Sequence, residues 1–262
     1  MKKTVPVLLL IILFAGAAWY SFIKQPDPVH ELQSQHSPPA MPVEAQLPEP
    51  QAEDAVATLE PAPEIIPDPL PPLNESDPEV SLELAEITGT DPLAKYLVKD
   101  QAISRIVVTI DSLTSRQVPA QINPIRPADG KFIADPQGER FVMNARNFAR
   151  YDGYVSLVQY ANTEALVSFY QRYGPLFQQA WEENGGEGLF ENRLLEVIDS
   201  LLDTPDVPGP VYLTKPEAVY LFEEPELEAM SAGQKILVRM GSANAAVVKE
   251  KLTELRAKLN SH

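Results

Sequence analysis

The chain has 262 residues, 26 of them proline and none cysteine, and a formal net charge of −16. Without cysteine there can be no disulfide, thiolate nucleophile, iron–sulfur cluster or cysteine-ligated zinc. Nucleic acid is not an expected ligand, because its recognition needs a basic surface.

The N-terminus opens with Lys2 and Lys3, then runs from Val5 to Ile23 without a charge before Lys24. As a helix, this run of 19 residues reaches ~28 Å, about the hydrocarbon thickness of a bilayer. Trp19 and Tyr20 suit a membrane interface, and the preceding lysines place the N-terminus in the cytoplasm. Residues 1–24 are therefore expected to be a transmembrane signal-anchor. A cleaved secretory signal remains open, with Val5 to Phe14 as its apolar core and Ala15-Gly16-Ala17 as a small-residue cleavage pattern. Apolarity persisting to Ile23 favours the anchor, and both readings export the remainder.

Fourteen prolines lie between Pro26 and Pro78, and from Gln25 to Ala94 there are fifteen acidic residues and no Lys or Arg. Residues 25–73 are expected to form a disordered, acidic, proline-rich tether, since so few large apolar groups cannot offset the cost of ordering the chain. Extended, it reaches on the order of 100 to 150 Å. From Lys95 to His262 the balance is 18 basic to 22 acidic side chains, as in an ordinary globular domain.

Residues 74–262 read as a single, mainly α domain with one or two small β-hairpins. Ser76, Asp77 and Pro78 mark a first helix ending near Gly89. Leu93 to Leu113 carries apolar residues at three- and four-residue steps, predicting one long helix. Four prolines and two glycines break the pattern between Val118 and Val142, where Phe132 to Ala134 is expected to pair with Phe141 to Met143. Helices are predicted over 144–160, over 164–183 with a kink at Pro175, and over 190–202. A second extended pair, 211–214 and 218–222, precedes helices near 225–240 and, capped by Ser242, at 243–259.

The three histidines are His30, His36 and His262, all outside the body of this domain. No Ser-His-Asp triad, histidine base or histidine-ligated metal is expected within it. Walker, dinucleotide-binding, nucleophile-elbow and EF-hand spacings are missing as well, so no catalytic, cofactor or metal residue is assigned. Glu182, Glu183, Glu187, Glu191, Glu196 and Asp199 read as solvated helix ends. Arg146, Arg150, Tyr151, Tyr154, Arg172 and Tyr173 are the candidate interaction residues, because guanidinium forks and tyrosine rings suit interfaces. Their alternative is internal, with tyrosines in the core and arginines paired to nearby acids. The row Tyr170, Tyr173, Phe177 and Trp181 is expected to be core.

Two stretches are familiar. One is Phe190-Glu191-Asn192-Arg193-Leu194 continuing to Leu202, Thr204-Pro205, Gly209-Pro210 and Leu213. The other is Pro225-Glu226-Leu227-Glu228, Ser231-Ala232-Gly233-Gln234-Lys235, Arg239-Met240-Gly241, Asn244-Ala245 and Val248-Lys249. They resemble an uncharacterised proteobacterial family, the domain of unknown function 3014, over about Leu73 to Leu259. The resemblance implies a single-span protein with a proline-rich tether in a Gram-negative envelope, and no activity. The combined expectation is an inner-membrane protein with a periplasmic interaction module, docking an envelope protein or, as a lesser expectation, peptidoglycan. The alternative is a carboxylate-dependent peptidoglycan hydrolase or lyase, which would need a buried acid in a deep cleft.

Overall fold

A computed structural model describes residues 69–88, 98, 100–119, 123–126 and 128–260. The expected membrane span at 5–23, the tether through residue 68 and all three histidines lie outside the described residues. Among the described residues, no helix is long and apolar enough to cross a membrane. Packed structure is found from Leu70, which rests with Leu73 against the helical core.

The first helix, α1 (Asp77–Thr88), has Pro78 in its opening turn and buries Val80, Leu84 and Ile87 along one stripe. Asp77 caps the next helix: its carboxylate accepts from Gln101 N at 2.7 Å and Ala102 N at 2.8 Å. That helix, α2 (Ala102–Ser112), starts nine residues after the predicted Leu93. Gln101 adopts φ 52°, a left-handed conformation that a helix interior does not accommodate. The Asp77 carboxylate holds the two amides on either side of this break. Ile103, Ile106, Val107 and Ile110 form the buried face of α2.

Strands β1 (Ala134–Gln137) and β2 (Arg140–Met143) form the first hairpin, closed at Gly138, where φ is 65°. Ala134 pairs with Met143 as expected, but pairing continues to Gln137 opposite Arg140, so the strand lies farther along the chain than predicted. Pro136 is accommodated because β1 is an edge strand. Strands β3 (Tyr212–Thr214) and β4 (Leu221–Phe222) add to β2, giving one antiparallel sheet in the order β1-β2-β3-β4. The two expected hairpins are thus one sheet. Phe141, Leu213 and Phe222 are direct partners across three strands and share one face. A lone short hairpin buries too little to persist.

The expected helix at 144–160 divides into a 3₁₀ segment, Ala145–Tyr151, and α3 (Asp152–Tyr160). Buried Asn147 causes the change in winding, since its side chain bonds both backbone groups of Ile133 and the Asn144 carbonyl. Helix α4 (Thr163–Glu183) is capped by Asn162 and runs on through Pro175. Helix α5 (Phe190–Leu202) matches its predicted bounds. Three further helices close the chain: α6 (Pro225–Ala229), α7 (Ala232–Arg239) and α8 (Ser242–Leu259). The predicted segment 225–240 is interrupted at Ser231, whose side chain forms a capping box with Gln234 and so begins a new helix.

Helix α8 packs against α3, α4, α5 and α7, and α2 packs against α4 and α5. The main core lies among them and includes Ile110, Tyr173, Phe177, Leu194 and Leu252. A smaller core of Met143, Val211, Leu213, Phe222, Leu227 and Val238 lies between the sheet and helices α6 and α7.

Candidate functional site

The structure divides the six candidate interaction residues into two groups. Arg150 donates to the carbonyls of Ala128, Asp129 and Gly130, and Tyr154 Oη donates to Arg126 O at 3.0 Å. Tyr151 lies beneath them, 1% exposed, and burial pushes its phenol above the ordinary value. Arg150 and Tyr154 thereby hold the backbone at Arg126 and at Ala128 to Gly130 against the 3₁₀ segment and α3. Arg146 is exposed, and its backbone amide serves the Asn144 cap.

Arg172 and Tyr173 form the second group, on α4 beneath α1. Arg172 Nη2 donates to Glu79 at 2.6 Å, and Tyr173 Oη lies 3.1 Å from Glu79 and 2.8 Å from Glu83. The Arg172 hydrogen bond holds the Glu79 carboxyl below its ordinary value, and burial pushes the Tyr173 phenol up. These polar atoms secure the first helix to the core. Tyr170, Tyr173 and Phe177 of the aromatic row are buried, and Trp181 packs half-buried against Phe190.

Four of the six acidic residues around the 184–188 connector are engaged, three within their own helices and Asp199 across to α8. Gln178 and Gln179 donate to Glu182 and Glu183, Arg193 pairs with Glu196, and Arg256 pairs with Asp199. The charged side chains buried among the described residues are both cations, Lys235 and Arg239. Both belong to α7. Lys235 Nζ lies 2.5 Å from Glu228, which also accepts from Phe222 N at 2.8 Å. The Arg239 guanidinium sits 4.8 Å over the Phe222 ring, and its burial pushes its pKa down.

The familiar stretches therefore meet at the seam between the two cores. Gly233 N donates to Leu113 O at 2.9 Å, and a Cβ there would lie 2.6 Å from Leu201. Gln234 donates to Ser200 O at 2.9 Å, and Asn244 to Phe148 O at 3.2 Å. Gly241, with φ 84° and no room for a Cβ beside the Phe148 ring, lets α7 turn into α8.

Of the hollows among the described residues, two border α8. A wide groove of about 860 Å³ runs between the α3–α4 junction and α8, lined by Tyr160, Asn162, Thr163, Lys251, Glu254 and Lys258. Tyr160 is 82% exposed at its edge. Thr163 donates to Glu254 at 2.5 Å, Lys251 lies 2.7 Å from Glu254, and Lys258 lies 3.0 Å from Glu164, so the groove is lined by surface ion pairs of both signs. A narrower pocket of about 190 Å³ lies between the Thr204–Val207 turn, α7 and the start of α8. Neither Tyr160 nor Lys249 of the narrower pocket was singled out as a site residue from the sequence. Tyr160 is the final residue of a predicted helix, and an aromatic at such a junction was the available signal.

Among the described residues, no group of three or more acidic, histidine or cysteine side chains is placed to hold a metal. The fold is a mainly helical domain with a four-stranded antiparallel sheet packed on α6 and α7. The chain belongs to the DUF3014 family of proteins of unknown function, whose model matches residues 102–256. That span runs from the start of α2 into the last turn of α8. Comparison with curated proteins and with solved structures gives no match.

Proposed function

We propose that this protein is a membrane-anchored, non-enzymatic docking module whose helical domain binds a protein partner in the bacterial periplasm. The observation that carries the reading is Tyr160, 82% exposed at the edge of an open groove lined by lysines and glutamates. Tyrosine supplies a large contact area at low conformational cost, and it is enriched where protein surfaces meet. The lysines and glutamates beside it offer both signs of charge to a partner. Residues 5–23 supply the anchor, with the N-terminus in the cytoplasm. The acidic, proline-rich stretch supplies reach, raising the effective concentration of the domain for partners within its span. No side chain of the domain is assigned a catalytic role.

In-cell crosslinking followed by mass spectrometry tests this directly, comparing the full chain with one ending at Asn74. A recurrent protein adduct that disappears with the domain is expected. Crosslinking only to the cell wall, or cleavage of purified peptidoglycan by the full chain, would replace the reading with a wall-binding or wall-cleaving one.

A further inference from the structure

The narrower pocket has apolar walls from Val207, Leu237, Val238 and Ala245, and four polar side chains line it, of which Thr204 is buried with its hydroxyl donating to Leu201 O at 2.7 Å. Ser242 is already engaged, donating to Val207 O at 3.3 Å. Lys249 Nζ donates to Thr204 O and, among the described residues, has no carboxylate partner. An ammonium has three N–H donors, so two remain for a ligand. Asp206 is exposed and forms no ion pair with Lys249, leaving its carboxylate able to accept. At about 190 Å³ the pocket is smaller than the ~300 to 1,000 Å³ of small-molecule sites, and suits a single amino-acid residue.

We propose that this pocket captures the C-terminal residue of a partner protein. An apolar side chain fills the walls, the terminal carboxylate accepts from Lys249 Nζ, and the N–H of that same residue donates to Asp206. Charge complementarity selects this occupant. A chain terminus is where a polypeptide carries an apolar side chain, an N–H donor and a carboxylate on one Cα. An internal apolar residue would fill the walls but leave the Lys249 ammonium unanswered. Capture of a chain's terminal carboxylate is an established recognition mode, made elsewhere by backbone N–H groups and here by the Lys249 ammonium. The proposal goes beyond the groove at Tyr160 in naming a separate pocket and the chemical end group it takes.

The test uses the full chain in nanodiscs and a fluorescent tetrapeptide of three alanines ending in L-leucine, read by anisotropy. The free-acid probe is expected to bind about tenfold more tightly than its C-terminal amide, as a charge-assisted hydrogen bond requires. Lys249→Gln is expected to abolish that difference while leaving amide binding unchanged. Ala246→Phe, at an exposed position on the rim, is expected to block both probes. Equal binding of acid and amide, or no binding of either at millimolar concentration, would overturn the proposal. Preference for a probe ending in D-alanine would overturn the protein terminus as the source of the carboxylate. A protein adduct that persists in cells carrying Ala246→Phe would remove this pocket from the contact while leaving the docking reading intact.

Discussion

The helical core and the sheet beside it are stabilised in different ways. The helical core is dense in aromatic and aliphatic groups. Tyr173, Phe177 and Leu194 have no exposed surface, and Phe177 stacks on Phe190 with ring centroids 6.0 Å apart. The sheet has a much smaller apolar set and relies on α7 as its wall. Ile236, Leu237 and Met240 of that region face the helical core, while Val238 faces the sheet. Two buried cations join them, Lys235 through Glu228 and Arg239 over Phe222. Non-directional burial holds the larger region, and a few directional contacts hold the smaller one to it.

The largest effect is expected when the two cores are truncated in turn. Phe177→Ala should cost ~3 to 5 kcal/mol in denaturant titration and unfold both regions together. Leu213→Ala should cost ~2 to 4 kcal/mol, with the amides of β2 and β3 exchanging before those of α4. Equal exchange in both regions for Leu213→Ala would mean that they share a single cooperative unit.

Gly241→Ala strikes the seam itself. A Cβ would lie 2.9 Å from Phe148, at a φ of 84° that L-residues rarely adopt. A loss of ~1 to 3 kcal/mol is expected, with the change in hydrogen exchange concentrated where α7 meets α8. Tolerance of alanine at this position would remove Gly241 from the account.

Acidification should loosen α1 selectively. Arg172 holds the Glu79 carboxyl below its ordinary value of 4.5, so this pair stabilises the fold above that pH and loses its contribution as pH falls through the lowered value. Both side chains are partly exposed, which limits the effect to ~1 kcal/mol or less. Protease cleavage within α1 should therefore rise as pH is lowered below about 4.5. Arg172→Met should raise cleavage at neutral pH and flatten its dependence on pH. The smallest effect is expected at the surface pair of Asp199 and Arg256. Asp199→Asn should leave the unfolding midpoint essentially unchanged even though Arg256 holds the Asp199 carboxyl low.

The same division governed how much could be read from the sequence. Helices α4 and α5 announced themselves because Phe177, Leu194, Val197 and Ile198 repeat at the helical period and all face one core. The start of α2 did not, because it depends on Asp77, 25 residues earlier, and on a left-handed Gln101. Pairing of β2 with β3 joins residues about 70 apart, Phe141 to Leu213, and no local pattern encodes such a contact. Of the candidate interaction residues, the aromatic and arginine character was legible but the partners were not. Glu79 lies 93 residues from Arg172, and the carbonyls held by Arg150 carry no side-chain signal. The groove at Tyr160 and the pocket at Lys249 arise where separate helices approach, so they become visible only in three dimensions.

The central claim is that the surface around Tyr160 docks a protein. A photoreactive residue placed at position 160 of the full chain in living cells tests it most directly, with position 187 in the exposed connector as the control. The account predicts one recurrent protein adduct from position 160 and none from 187. The same adducts from both positions, or none from position 160, would contradict it.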